Sequence, residues 1–437
     1  MTPVDKLQAI VAIPTVSHQD PALTDTEAFR RLRKTMAGLW PRVHALDMVG
    51  VGEHGLLVRW PGRSADKPVV LMSHLDVVPV VEEDWDRDPF GAELADGSVW
   101  GRGTLDDKGC VAAICEAVEE LLEEGAVPAQ DVWLSFGCDE EVSGSSAREA
   151  VRVLRERGVR PWLVLDEGGA VAHDAFPGVT APVGVVGVTE KGVTSLLLTV
   201  TGDGGHASTP VPNSPPIRLA RALTRLEKAP MRPRLPAPTL ELFRRMAPHA
   251  PRPLGALLRN AGRLAPAVSR LLALAGPEAA ALARTSMSVT TLEGSAALNV
   301  IPAAARAGVN IRVMPGDSVA SVVRHVRAVV KDPAVEVQVI EAGEPSPVSR
   351  YDDAAFDLVT GVIGDIFPDA VAAPYVVLAA TDSRFFAAIS DHVYRFAPFR
   401  MTRAQRATIH AANERIGTDD FLAGITWYRR LLERLPA

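Results

Sequence analysis

The sequence predicts an α/β protein, a mixed and mostly parallel sheet with helices on both faces, into which a smaller α+β domain is inserted. Three observations carry this. Apolar, strand-like runs alternate with helical segments as far as Asp166, the pattern of βαβ units. The polar residues of interest stand just past the C-terminal ends of those runs, the edge where open α/β sheets form their sites. After about Gly187 the pattern changes to β segments around a long middle region, and it returns to α/β character from about Pro345. The expected organisation is a main domain in two parts, 1–188 and 343–437, enclosing an inserted domain at 189–342.

The elements follow in order. PVVLMSHLDVVP, between Asp66 and Pro79, reads as a buried strand with a His and an Asp near its end. From about Asp107 to Glu124, Ala, Val, Ile and Glu recur at three- and four-residue spacing, which predicts a helix. DVWLSFGC, Asp131 to Cys138, is a second strand; an acidic loop, a helix to Arg157 and the strand PWLVLD, ending at Asp166, come next. In the inserted part GVTSLLLTV, ARAGVNIRV and VEVQVI read as strands and Ser318 to Lys331 as a helix. Residues 228–286 form an excursion heavy in Pro, Arg, Leu and Ala, with helical patterns in LELFRRM and GALLRNAGRLAPAVSRLLALA. It is expected to pack on its own domain or on a partner subunit, although its alternation of Arg with Leu also suits a membrane surface. The chain closes on a helix from Asp419 to Leu435.

Composition excludes several classes of function. With 437 residues, 47% of them hydrophobic, the chain can bury a large core. Lys and Arg number 46 against 53 Asp and Glu, a net charge of −7, which argues against a protein built to grip phosphate backbones. Cys110, Cys115 and Cys138 are too few for a disulfide framework and lack zinc-finger spacing. No uncharged apolar run of about 18 residues occurs, so no membrane span is expected. The N-terminus shows no basic-then-apolar leader pattern. The expected location is the cytoplasm.

Five clusters carry chemistry. His74 and Asp76 in SHLDVVP are two apart, so a strand would point both to one face. A ligating His often gives its second ring N–H to a carboxylate; a neighbouring Asp could supply it, or could orient something else at the same face. GRGTLDDKG, Gly101 to Gly109, places two acids where a loop enters a helix; it lacks the glycine spacing of phosphate loops, and its acids also suit a helix N-terminus. Asp139, Glu140 and Glu141 follow a strand directly, and three adjacent carboxylates there repel one another unless cations neutralise them. Asp166 and Glu167 end the next apolar run, and His410 stands in TIHAANE. Each cluster alone has an ordinary reading as a surface histidine or a solvated acidic turn. Together they supply a mixed nitrogen and oxygen ligand set without thiols, the chemistry of hydrolytic zinc, or of cobalt or manganese in the same frame. Two metals about 3.5–4 Å apart need a bridging carboxylate and further acids, which accounts for the acid pairs.

In this order and spacing HLDVVP, GRGTLDDKG, DEE, LDEGG, GGHAS, LNVIP, NIRVMPG, TDSR and IHAANE resemble the aminoacylase, carboxypeptidase S and succinyl-diaminopimelate desuccinylase family of di-zinc metallopeptidases. The likeness runs over nearly the whole chain and is nearest the carboxypeptidase S branch, which includes N-acyl amino acid hydrolases. It implies that His74, Asp106 and Asp166 hold one zinc, and that Asp106 bridges to a second held by Glu141 and His410. It further implies that Asp76 supports the site and that Glu140 is the general base. The inserted domain becomes a lid and dimerisation domain. His206 in GGHAS would polarise the scissile carbonyl, often across a homodimer, while Asn299 and Arg312 would bind substrate. Arg384 in TDSR is a second candidate for the substrate carboxylate, since a guanidinium pairs bidentately with one.

The sequence departs from the family pattern in three places. Glu167 offers an alternative to Asp166 as ligand, Ala411 and Ala412 follow His410 where a glycine is common, and the 228–286 excursion puts the usual dimer geometry in doubt. The implied activity is hydrolysis of an amide bond beside a free carboxylate, in a peptide or an N-acyl amino acid. The rival class is a catalytically silent binder of the same molecules, which need not hold two metals per chain.

Overall fold

The computed structural model describes residues 1–81 and 84–437. Aliphatic runs form the central strands: the last seven residues of Ser64–His74 and all eight of Gln130–Gly137 are buried. Strands buried on both faces need helices above and below. On one face Lys108–Glu123 packs along Thr418–Glu433, with Pro3–Val11 and Ala354–Ile366 beside them. On the other, Ser146–Glu156 and the turn Asp382–Ala388 cover Val70, Met72, Trp133 and Val164.

The sheet runs Asp47–Val51, Gly55–Trp60, Gln130–Gly137, Ser64–His74, Leu163–Asp166, Val393–Arg395, Val183–Glu190, Ala170–Ala172 and Arg400–Met401; Val371–Val377 also pairs with Val183–Glu190. Its centre is parallel, with Leu71 opposite both Leu134 and Leu165. His74 therefore ends level with Gly137, and Asp166 ends its strand opposite Arg395. The loops that follow converge on one edge, as the sequence predicts.

The inserted domain is a four-stranded antiparallel sheet ordered Ser286–Glu293, Ala304–Val313, Gly192–Thr201 and Val335–Ala342. Pro215–Lys228 and Val319–Val330 seal its apolar side around Leu196, Leu198, Val309 and Ile311.

The excursion forms four short helices, Ala237–Met246, Arg252–Arg259, Ala265–Leu274 and Pro277–Ala281. Its packing differs from the expectation: Leu242, Phe243 and Met246 bury against Val183, Val185 and Ala373 of the large sheet. The reason is strand alternation. Val186 and Val188 belong to the core on the Ala354–Ile366 side, so Val183, Val185 and Ala373 need another cover. Arg245 Nη1 adds a bond to the Ala372 carbonyl at 3.2 Å.

Candidate active site

The strand Ser64–His74 delivers His74 to the sheet edge, buried to 2% exposure. The expectation that His74 and Asp76 share a strand face is corrected here, because the strand stops at His74 and Asp76 belongs to the irregular segment beyond. His74 Nδ1 lies 3.0 Å from the Asp76 carbonyl and 3.3 Å from Asp76 Oδ1. Freed from the strand, the Asp76 carboxylate also accepts from Ser17 Oγ at 2.7 Å, Glu140 N at 3.2 Å and Glu141 N at 3.1 Å. One buried aspartate thus holds the imidazole and the backbone of both glutamates.

Asp106 is held from its own backbone. Gly103 has φ +88°, and a Cβ there would meet Val77 Cγ1 at 2.6 Å, so glycine alone fits. Glu414 accepts from Gly103 N at 3.1 Å, Leu105 N at 2.8 Å and Asp106 N at 3.2 Å. It also pairs with the fully buried Arg102 at 3.0 Å.

The two oxygens of Asp106 then face two imidazoles, Oδ1 at 2.9 Å from His74 Nε2 and Oδ2 at 3.0 Å from His410 Nε2. Glu141 Oε2 lies 3.1 Å from the same His410 nitrogen. Ligand atoms of His74, Glu140 and Glu141, and again of Asp106, Glu141 and His410, lie within 4.8 Å of one another. His410 adopts φ 59°, a left-handed conformation that costs a residue other than glycine of order 1–3 kcal/mol. The histidine itself takes the strained backbone.

The acidic run after Gly137 divides its labour. Asp139 turns away and caps the next helix, accepting from Ser145 N at 2.8 Å and Ser146 N at 3.2 Å. Gly144 makes room for it, since a Cβ there would overlap the Asp139 carboxyl. Glu140 and Glu141 are left to face the histidines. Asp166 is buried and accepts from Ser383 N at 2.9 Å, and it stands outside both groups of facing ligand atoms.

Electrostatics follow from this crowding. Burial, reinforced by neighbouring carboxylates, pushes Glu140 and Glu167 well above the usual range and raises Glu141. Burial raises Asp107 to about 7 and Asp382 to about 8. Burial works against charge on Asp106 too, but its hydrogen bonds to His410 and His74 outweigh it and hold the carboxyl low. Hydrogen bonds to Asp106 and Glu141 push His410 up to about 10. Burial would lower His74, and its bonds to Asp106 and Asp76 override that. Two histidines held upward thus stand among a dense group of acids, a donor set that suits bound cations, since metal binding displaces protons from its ligands. Glu141 Oε1, buried without a partner, is a further free acceptor.

The other predicted residues fall into two pairs. Arg312, on Ala304–Val313, has its pKa lowered by burial, with the charge of Arg384 acting in the same direction and that of Glu341 against it. Arg384 donates to the Thr381 carbonyl at 2.7 Å and lies over the Phe385 ring. His206 and Asn299 are exposed neighbours: Gly205–His206 pairs with Val300–Ile301, and Ala207 N donates to the Asn299 carbonyl at 3.0 Å. Among the described residues, no hydrogen bond or ion pair joins His206 to the cluster; its Nδ1 lies 2.6 Å from Ser208 Oγ.

Sequence reasoning missed Ser17, Ser383 and Glu414 as supports. Glu414 stood in view as the last letter of IHAANE, and Ser383 in TDSR. Ser17, after PTV, offers no signal of its own.

Comparison with known proteins shows the family and the fold. Residues 70–434 match the peptidase family M20/M25/M40. The N-fatty-acyl-amino acid synthase/hydrolase PM20D1 of Xenopus tropicalis is 34% identical over 438 residues, covering 98% of this chain and 85% of that protein. The probable carboxypeptidase S-like 2 of Dictyostelium discoideum is 34% identical over 412 residues, 93% of this chain and 79% of its own length. Among solved structures, the M20 family metallo-carboxypeptidase Sso-CP2 from Sulfolobus solfataricus shares the fold with a TM-score of 0.72, over 99% of both chains at 18% identity.

Proposed function

Since the chain belongs to the peptidase family M20/M25/M40, we propose that it hydrolyses an amide bond beside a free carboxylate with two bound zinc ions. The observation that carries this is Asp106 set between His74 and His410, with Glu141 on the second imidazole and Glu140 alongside. His74, Asp106 and Asp166 would hold one ion, and Asp106, Glu141 and His410 the other. The nitrogen and oxygen donors suit zinc, with cobalt or manganese as substitutes.

Zinc, when bound, polarises the scissile carbonyl and lowers the pKa of the attacking water. Glu140 takes the water's proton on its carboxylate and passes it to the leaving amine nitrogen. Its backbone bond to Asp76 keeps it beside His74. Arg312 and Arg384 clamp the substrate carboxylate from opposite domains. His206 donates to the developing oxyanion, with Asn299 next to it on the substrate.

His206 reaches the cluster through closure of the inserted domain or from a partner copy. The free edge Ser286–Glu293 supports a homodimer, because Val289 and Leu292 are exposed along it at 45% and 68%. Among the described residues no helix is long and apolar enough to cross a membrane. Three free, buried cysteines suit a reducing compartment, and the cytoplasm is the location proposed.

The name of the Xenopus relative favours an N-acyl amino acid, the substrate class proposed, while the Dictyostelium relative is named for carboxypeptidase action. Hydrolysis of dipeptides and of N-acyl amino acids of rising chain length tests this. Cleavage of the acyl amino acids, lost when the substrate carboxylate is amidated, is expected. Turnover of neither set by the zinc-loaded protein would reject the reading.

A further inference from the structure

Residues 228–286 are chemically unlike the rest of the chain. They carry nine arginines and one lysine against Glu241 and Glu278, within a protein of net charge −7. Their buried side is accounted for by the large sheet. The outer side is where the unexplained residues stand.

Leu264, Leu271 and Leu274 are 44%, 57% and 85% exposed. On Ala265–Leu274 the spacing places Ala267, Arg270, Leu271 and Leu274 on one outward stripe, opposite the buried Val268 and Ser269. Leu264 and Arg263 enter that stripe from the preceding turn. Arg252 and Arg259 extend the basic surface along Arg252–Arg259 at i and i+7. Arg252, Arg259, Arg263 and Arg270 are exposed, and none takes part in an ion pair among the described residues.

We propose that this stripe docks the enzyme on an anionic lipid surface, with the leucines entering the acyl boundary and the arginines lying against headgroup phosphates. A contiguous apolar stripe rimmed by uncompensated positive charge matches that layered chemistry. A second copy of the chain fits it less well. A two-fold contact would set the stripe against itself and oppose Arg263 and Arg270 with their own counterparts. The inference concerns where the substrate comes from and rests on the acyl amino acid reading, because long-chain acyl amino acids partition into lipid. The binding itself is measured without substrate.

The test is co-sedimentation of the zinc-loaded protein with phosphatidylcholine vesicles, with and without about 30% phosphatidylglycerol. Binding to the anionic vesicles, weak binding to the neutral ones and release by salt are expected. Arg263→Glu with Arg270→Glu, and separately Leu271→Ser with Leu274→Ser, should each weaken the partition about tenfold or more. All four positions are exposed, and hydrolysis of a short-chain, soluble acyl amino acid by the variants should match the parent, which checks folding. No binding by the parent, equal binding to both vesicle types, or binding unchanged in both variants would overturn the proposal. So would loss of an oligomer in the leucine variant without vesicle binding, since that assigns the stripe to a second copy. If short-chain hydrolysis fails in the parent while vesicles still bind, the reaction reading falls and the docking stands.

Discussion

The metal cluster and the His206–Asn299 pair both come from short sequence motifs, yet the fold treats them in opposite ways. Around the cluster, buried groups from distant segments restrain nearly every ligand: Asp76 holds His74, Glu140 and Glu141, and Glu414 holds the backbone of Asp106. The pair is held by a two-residue ladder, by the bond from Ala207 N to the Asn299 carbonyl and by the contact of His206 with Ser208. Like charges packed together must be fixed in place before cations arrive, whereas a group that meets the substrate late needs no such frame. The contrast separates preorganised metal chemistry from a part that is added on closure or assembly.

The largest effect should come from emptying the cluster. Prolonged chelation is expected to abolish hydrolysis, and Zn²⁺ or Co²⁺ to restore it; full activity in the chelator would remove the distinction altogether. Next, Glu140→Ala should lower kcat by about 10²–10⁴ with two metals per chain retained, because Glu140 is assigned proton transfer alone. Glu141→Ala or His410→Ala should instead lower the measured metal content. If Glu140→Ala loses a metal and Glu141→Ala keeps both, the two roles exchange.

On the other side, His206→Ala should cut kcat by about 10²–10³ with both metals in place. Mixing it with Glu140→Ala distinguishes its two routes to the site. Partial rescue means the histidine crosses a dimer, and no rescue despite proven subunit exchange means it serves its own chain. Arg312→Ala and Arg384→Ala should act mainly on KM, each costing about 1.5–3 kcal/mol in kcat/KM, the worth of a charged hydrogen bond. A loss confined to kcat would place either arginine in the reaction instead.

The smallest effect sharpens the cluster's electrostatics. In the metal-free protein His410 titrates near 10, above its ordinary value of 6.5. The stability it lends is complete below about pH 6.5 and is lost as the pH rises through about 10. The melting temperature of the chelated protein should therefore fall across that window, and that of His410→Ala should fall less.

Much of this was legible in the chain. The central strands are unbroken aliphatic runs, so their burial and parallel order follow from composition and from the helices between them. The two histidines and the acid clusters were readable because metal chemistry restricts residue type, the family resemblance singled out Asp106, Glu140 and Glu141 within them, and the structure brings these three together with His74 and His410. Asp166 was readable as an acid at a strand end, and the structure adds that Ser383 N donates to its carboxylate. The inserted sheet announced itself through alternation, a local property of strands with one wet face.

What the tertiary structure decided are the contacts between distant segments. Nothing local to Asp76 says that it holds the backbone of two glutamates more than sixty residues later. Glu414 lies over three hundred residues from the loop it supports. Nor does the run DEE say that its first acid caps a helix while the next two face histidines; Gly144 and the start of Ser146–Glu156 settle that. The excursion is the clearest case. Its amphipathic pattern required a buried face, and only the uncovered side of Val183–Glu190 and Val371–Val377 determined that the large sheet provides the cover. Residue type and periodicity set which groups must be buried, paired or charged, and packing in three dimensions selects the partner.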